Sequence, residues 1–233
     1  MTTAIILAGG LGTRLRAEVP DMPKPMAPIS ERPFLEYQID YWIKQGVDNI
    51  ILSIGYLHHK IIDHFGNVYR GVNINYVIEN SPLGTGGALI LAAKKLNLKE
   101  PFLAINGDTY FTVDLKKLKK FSQLNNTDWC IALYRSTDTE RYMGMEVSLE
   151  GRITAFKSRS EYRSLINGGV YWINPSSLNK PFILSRSISL ENEILPNALN
   201  SNQRIYGIEF TGDFIDIGIP EDYRRAINIM NNT

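Results

Sequence analysis

Near the amino terminus an apolar run, Ala4-Ile5-Ile6-Leu7-Ala8, stops at three closely spaced glycines, Gly9, Gly10 and Gly12, followed by Thr13 and Arg14. Glycine lets a backbone take positive φ and approach a ligand closely. Successive free N–H groups in such a turn point at an anion, and phosphate is the usual one. Arg14 adds a permanently charged planar fork suited to phosphate oxygens. The pattern predicts a strand ending in a phosphate cradle, with Leu7, Ala8, Gly9, Gly10, Gly12 and Thr13 around the ligand. The two common glycine signatures do not fit. A dinucleotide fingerprint starting at Gly10 needs glycine or alanine where Leu15 stands, and no Gly-Lys-Ser/Thr triplet closes the turn. An ordinary strand–turn–helix with glycines for geometry alone is the competing explanation.

The segments that follow alternate. Strands are predicted at Ala4–Leu7, Asn49–Ile54, Asn73–Ile78 and Phe102–Asn106, and helices at Pro33–Gln45, Leu57–Phe65 and Thr85–Leu96. Leu35, Ile39, Trp42 and Ile43 share one face of the first helix, and Gly46 ends it. This rhythm implies an α/β fold with a Rossmann-like, mostly parallel sheet flanked by helices. Ligands of such sheets bind beyond the carboxyl ends of the strands. The second half changes rhythm. Short strands are predicted at Trp129–Tyr134, Met145–Ser148, Arg152–Phe156, Gly169–Ile173, Ile205–Ile208 and Phe214–Ile217, with helices near Leu190–Leu199 and Glu221–Met230. This half reads as a smaller α+β lobe, a strand layer over the rim of the first. No linker or repeat divides the 233 residues, so one domain is expected, with lobes at 1–127 and 128–233.

Composition excludes several classes. With 25 basic and 24 acidic residues and no Lys/Arg block, no nucleic-acid partner is expected. No apolar stretch reaches the length of a membrane span and no leader is visible, so the expectation is a cytoplasmic protein without a membrane partner. The single cysteine, Cys130, excludes an intrachain disulfide and lies in an apolar strand. His58, His59 and His64 lack metal-ligand spacing and are expected on one solvated helix face.

Three further motifs fall at strand ends. Lys24, between Pro23 and Pro25, is expected on a stiff extended segment, as a point cation for an α-phosphate. Asp108, in Asn106-Gly107-Asp108, sits at a strand tip as a hard-cation ligand, with Asp216 as the second carboxylate and Mg²⁺ as the ion. The loop Glu79-Asn80-Ser81-Pro82-Leu83-Gly84-Thr85 opens a helix, and its glycines admit a flat ring against backbone.

Together, GGxGTRL and Pro23-Lys24-Pro25 resemble the sugar-1-phosphate nucleotidyltransferase family, whose members join a sugar 1-phosphate to an NTP and release pyrophosphate. The resemblance runs from Ala4 to about Met230 with the motifs in family order, and implies the GT-A-like nucleotidyltransferase fold. It implies catalytic roles for Arg14, Lys24 and Asp108, and a base-reading loop holding Glu79, Pro82, Gly84 and Thr85. It implies sugar-phosphate contacts from Asn106, Gly107, Gly144, Asn167, Gly168, Gly169 and Glu191. A helix N-terminal charge behind Ser189 is the competing role for Glu191. Relatives carry Phe-x-Glu-Lys where this chain has Phe156-Lys157-Ser158-Arg159, so Lys157 and Arg159 both stand as candidates for the sugar phosphate. Guanine shows two adjacent donors, which one ionised carboxylate takes together, so Glu79 points to GTP over other NTPs; a backbone carbonyl reading the base is the alternative. Pro23–Ile29, Arg32–Glu36 and Pro82–Ala88 are most similar to the heptose-activating branch of the family. Mannose-activating, uridylyl and thymidylyl branches stay open, as does assembly into a homo-oligomer. A GT-A glycosyltransferase would show Asp-x-Asp, where this chain has Asp108-Thr109-Tyr110, and a non-catalytic nucleotide sensor would have lost Arg14, Lys24 or Asp108.

Overall fold

Strand β1 (Thr3–Ala8) lies inside a ten-stranded sheet because both of its faces are apolar. Ala4, Ile6 and Ala8 enter the core on one side and Ile5 the core on the other. A strand buried on both faces reads as a continuous apolar run, as this one does. The structure, a computed structural model, describes residues 1–15, 18–138, 141–157, 163–178 and 186–230. Helices α1 (Phe34–Lys44) and α2 (His58–Phe65) cover the first face through Leu35, Ile39, Trp42, Ile61 and Phe65. Helix α3 (Gly84–Lys95) covers the second through Leu89, Ile90, Ala92 and Ala93. Each fully buried Ile or Leu of this kind contributes about 1.5–3 kcal/mol.

Strands β2 (Asn49–Ile54), β3 (Val72–Ile78) and β4 (Phe102–Asn106) complete the parallel part, in the order β4-β1-β2-β3. The order reverses beside β1, so the turns after β1 and β4 emerge side by side at a topological switch point, where such sheets bind ligands. The Gly107 N–H donates to the Leu7 carbonyl at 3.0 Å and holds those two turns together.

The second half corrects one expectation. Its strands do not form a layer over the rim; they extend the same sheet. The short strand β5 (Thr109–Phe111) and helix α4 (Leu115–Leu124) lead to β6 (Trp129–Arg135), β7 (Gly144–Val147), β8 (Ile153–Lys157) and β9 (Leu165–Ile173). The long β9 pairs antiparallel with β4 along Val170–Ile173 and meets β7 at Ile166, while its other edge pairs with β6. After helix α5 (Leu195–Asn200), β10 (Ile205–Glu209) adds to β6 in parallel. β11 (Phe214–Asp216) pairs with β5 outside the main sheet, and α6 (Pro220–Met230) follows.

A third apolar cluster lies under the rim. Leu15, Ala27, Tyr110, Ile215, Ile217 and Tyr223 are buried in it. It anchors the glycine turn, the lysine segment, β5, β11 and α6 against one another, and so sets the spacing of the charged groups above. Cys130 is fully buried in β6, and burial pushes its thiol up to about 12, so it is a packing residue. Among the described residues no helix is long and apolar enough to cross a membrane.

Candidate active site

Two clefts open beyond the carboxyl ends of the parallel strands and meet at Asn106 and Asp108, which line both. The larger, about 420 Å³, is walled by the glycine turn: Leu7, Ala8, Gly9, Gly10, Gly12 and Thr13. Glu79, Pro82, Gly84, Thr85 and Lys24 also line it, Glu79 beside Gly9 and Lys24 beside Gly12. Gly12 has φ +60, and a Cβ there would lie 2.9 Å from the Lys24 Cβ, so only glycine fits the turn against the lysine segment. A Cβ at Gly9 would meet the Glu79 carboxylate, so a side chain there would displace Glu79.

Lys24 sits on a tight turn, not the extended segment expected. The Met26 N–H reaches the Pro23 carbonyl at 2.8 Å, closing a 3₁₀ turn over Lys24–Met26. The turn drives the ammonium into the junction, 2.5 Å from Asp108 Oδ2 and 4.0 Å from Asp216 Oδ1. Asp108 and Asp216 come together because β5 and β11 pair with Thr109 opposite Asp216, and the Ile217 N–H donates to the Asp108 carbonyl at 2.9 Å. Burial works against ionisation of Asp108, but the Lys24 ammonium outweighs it and holds the carboxyl below its usual range. Burial and the neighbouring Asp108 push the Asp216 carboxyl up.

Gln38 fixes the turn that presents Asp108, and nothing in the sequence pattern of α1 marks it beyond a polar residue on an apolar face. Its Nε2 donates one hydrogen to the Asn106 carbonyl (2.9 Å) and the other to the Thr109 carbonyl (2.5 Å), gripping the turn at both ends. It is 1% exposed, and its Oε1 has no partner among the described residues, so the amide is held by its donors alone. Gln38→Leu is expected to cost about 1–3 kcal/mol of stability, the penalty for removing a buried hydrogen-bond partner, and to lower turnover. Urea unfolding checks the first part; an unchanged midpoint would show that the turn holds itself.

The second cleft, about 190 Å³, is lined by Asn167, Gly169, Glu191 and Asp216 from the expected set. Arg141, Tyr142, Met143, Met145 and Phe214 also line it and were not singled out from sequence. Arg141 pairs with Asp216 Oδ2 at 3.0 Å and with Asp222, so it braces the second carboxylate through the oxygen that Lys24 does not face. Nothing in the polar stretch before Gly144, Ser136-Thr137-Asp138-Thr139-Glu140-Arg141, marks it from sequence. Other expected residues lie elsewhere. Gly107 and Gly168 line neither cleft; a Cβ at Gly107 would lie 2.6 Å from the Leu7 carbonyl, and one at Gly168 2.5 Å from the Phe111 ring, so both serve close packing. Gly144 faces Lys157 and Ile166 across strand pairs. Lys157 reaches Glu146 at 3.2 Å on the neighbouring strand and lines neither cleft. Arg159 lies outside the described residues. Arg14 follows the turn, is exposed, and lines neither cleft.

The two carboxylates suit a hard divalent cation, since both already converge on one positive charge and like-charge repulsion raises Asp216. Among the described residues no group of three or more His, Cys, Asp or Glu is placed to hold a metal.

The profile of the nucleotidyl transferase family matches residues 3–233. The chain is 45% identical to D-glycero-α-D-manno-heptose 1-phosphate guanylyltransferase of Aneurinibacillus thermoaerophilus, covering 96% of both chains. It is 40% identical to the Campylobacter jejuni protein of the same name, over 94% of this chain and 96% of that one. HddC from Yersinia pseudotuberculosis, solved in complex with GMP-PN, is 34% identical, superposes with a TM-score of 0.86, and is covered over 99% of this chain and 100% of its own.

Proposed function

The chain belongs to the nucleotidyl transferase family, and from that premise we propose that it is a guanylyltransferase joining GTP to D-glycero-α-D-manno-heptose 1-phosphate. The products are GDP-heptose, a precursor for surface polysaccharide, and pyrophosphate. One observation carries the reading: two clefts of unequal size meet at Asp108, whose carboxylate holds Lys24 beside the second carboxylate, Asp216. The larger takes the nucleotide and the smaller the sugar phosphate, so their phosphates face each other at Lys24.

An oxygen of the sugar phosphate attacks the α-phosphorus of GTP in line with the departing pyrophosphate. One P–O bond forms as the α–β bridge breaks, and the electron pair leaves on pyrophosphate. No enzyme nucleophile is needed; positioning and charge stabilisation supply the catalysis. Lys24 bears on the developing charge and Arg14 on the phosphates. Asp108 and Asp216 would hold Mg²⁺, which when bound neutralises phosphate charge. Arg141, fixed on Asp216, is the described cation of the sugar cleft. The single buried cysteine and the use of GTP fit a cytoplasmic setting.

Glu79 would read the base. Its carboxylate stands between the large cleft and a third recess of about 380 Å³, whose walls include Leu11 and Ile78. Those two apolar side chains are 45% and 37% exposed, as flat walls for a ring would be. Pyrophosphate release against a grid of four NTPs and several sugar 1-phosphates tests the assignment. GTP with the heptose 1-phosphate is expected to give the highest kcat/KM, and activity is expected to vanish with excess chelator. Faster turnover of a pyrimidine triphosphate or of mannose 1-phosphate would reassign the substrates.

A further inference from the structure

A line of hydrogen bonds joins the two clefts. The Leu190 N–H donates to Thr85 Oγ1 at 2.9 Å, and Thr85 Oγ1 donates its one proton to Glu191 Oε2 at 2.8 Å. Glu191 Oε1 accepts from the Tyr171 hydroxyl at 3.4 Å, which accepts from Asn167 Nδ2 at 2.6 Å. Asn167 Oδ1 accepts from the Gly169 N–H at 3.0 Å. Because each hydroxyl carries a single proton, the directions along the line are fixed. Thr85 lines the larger cleft, Glu191 and Asn167 the smaller, and Tyr171, 0% exposed, lines neither.

Ser189 caps a π-helical turn, Leu190–Ile194, its Oγ accepting from the Asn192 N–H at 3.0 Å while its own N–H donates to Glu193. Glu191 lies in the first turn behind that cap, where a helix N-terminal charge belongs, and it also lines the small cleft; π-helical turns are frequent at functional sites. A carboxylate has roughly four acceptor positions. Thr85, Ser189 and Tyr171 fill three of Glu191's, leaving one for a ligand hydroxyl. Asn167 Nδ2 likewise keeps its second proton.

We propose that Tyr171 and Thr85 are positioning residues that lock Glu191 as an acceptor and Asn167 as a donor, so that the small cleft selects a sugar with two neighbouring hydroxyls, one donating and one accepting. The inference rests on reading this cleft as the sugar-phosphate site. Neither residue touches the reacting atoms; their effect falls on how the sugar is held. A polar site built to pair with a hydroxyl rejects an analogue lacking it far more strongly than an apolar pocket does. That discrimination depends on the line being intact.

The test measures kcat, KM for the heptose 1-phosphate, KM for GTP, and the same constants with a deoxy analogue lacking one ring hydroxyl. Tyr171→Phe keeps the buried ring and removes only the hydroxyl, and is expected to raise the sugar KM about tenfold, as loss of one charge-assisted hydrogen bond does. Its KM for GTP is expected to be unchanged, and its preference over the deoxy analogue to shrink. Thr85→Val is expected to act in the same direction, Thr85→Ser to restore wild-type behaviour, and the double variant Tyr171→Phe with Thr85→Val to fall short of the product of the two effects. Wild-type sugar KM and discrimination in Tyr171→Phe, or an effect of Thr85→Val on GTP alone, would overturn the positioning role and leave the guanylyltransferase reading standing. Absence of wild-type turnover with any sugar 1-phosphate would overturn both.

Discussion

Lys24→Ala and Asp108→Asn are each expected to lower kcat on the order of 10²-fold or more, the usual loss when one preorganised charge is removed from around a transition state. Negative charge accumulates on the oxygens of the α-phosphorus as the pyrophosphate bond breaks. The Lys24 ammonium is aimed at that position beforehand, because a turn closed between Pro23 and Met26 holds it and Asp108 fixes its head at 2.5 Å. No reorganisation is then needed at the moment of reaction. Lys24→Ala removes the cation and leaves Asp108 and Asp216 facing each other, so its binding of divalent cation is expected to tighten as kcat falls. Asp108→Asn keeps the shape and can still accept from Lys24, but loses half of the carboxylate pair, so cation affinity and kcat fall together. Mn²⁺ titration followed by electron paramagnetic resonance separates the two, and urea midpoints check that each variant is folded. Arg14→Ala is expected to lower kcat as well. Wild-type turnover at any of the three positions would remove that residue from the mechanism.

What the sequence made legible follows from burial. Strands β1, β2 and β4 are covered on both faces, so their apolar runs are continuous, and the turns after β1 and β4 carry glycines that the packing demands. The parallel half and the walls of the larger cleft could therefore be read from the chain. The pairing of the second half could not, since nothing local in Leu165–Ile173 says that one edge meets β4 and the other β6. Helix α4 escaped because four lysines dominate it; Asp114, which caps it by accepting from the Lys117 N–H at 3.0 Å, and the buried Leu115 and Leu118 were the available signals. The smaller cleft was only half legible. Arg141 and Gln38 act through partners far away in sequence, and no spacing rule connects Arg141 to Asp216 or Gln38 to the turn at Asp108. Gly107 and Gly168 enter as ligand contacts through the family resemblance, and glycine has two uses, close packing and close approach to a ligand, that sequence alone does not distinguish.

Glu79→Gln is expected to cut kcat/KM for GTP selectively, by roughly 10–100-fold at about 1.4 kcal/mol per tenfold, with smaller losses for UTP and dTTP. Guanine presents two adjacent donors, and an ionised carboxylate can accept both; glutamine turns one acceptor into a donor that faces a guanine donor. The structure gives the carboxylate a second task. Glu79 Oε2 accepts from the Leu83 N–H at 3.2 Å and Oε1 from the Ser53 hydroxyl at 3.3 Å, so the side chain also ties down its own loop. Each oxygen nevertheless keeps an acceptor position. Burial raises the Glu79 carboxyl above its ordinary value of 4.5, with those two donors opposing the shift. A protonated carboxyl cannot accept two donors, so the KM for GTP is expected to rise with falling pH, in a range above the ordinary carboxylate value. That acid limb should be absent in Glu79→Gln, whose amide does not titrate. If Glu79 served only its loop, with the base read by backbone near Gly84, Glu79→Gln would shift all four triphosphates equally or not at all. Equal losses, with an acid limb that survives the substitution, would leave the reaction class intact and withdraw guanine recognition from this residue.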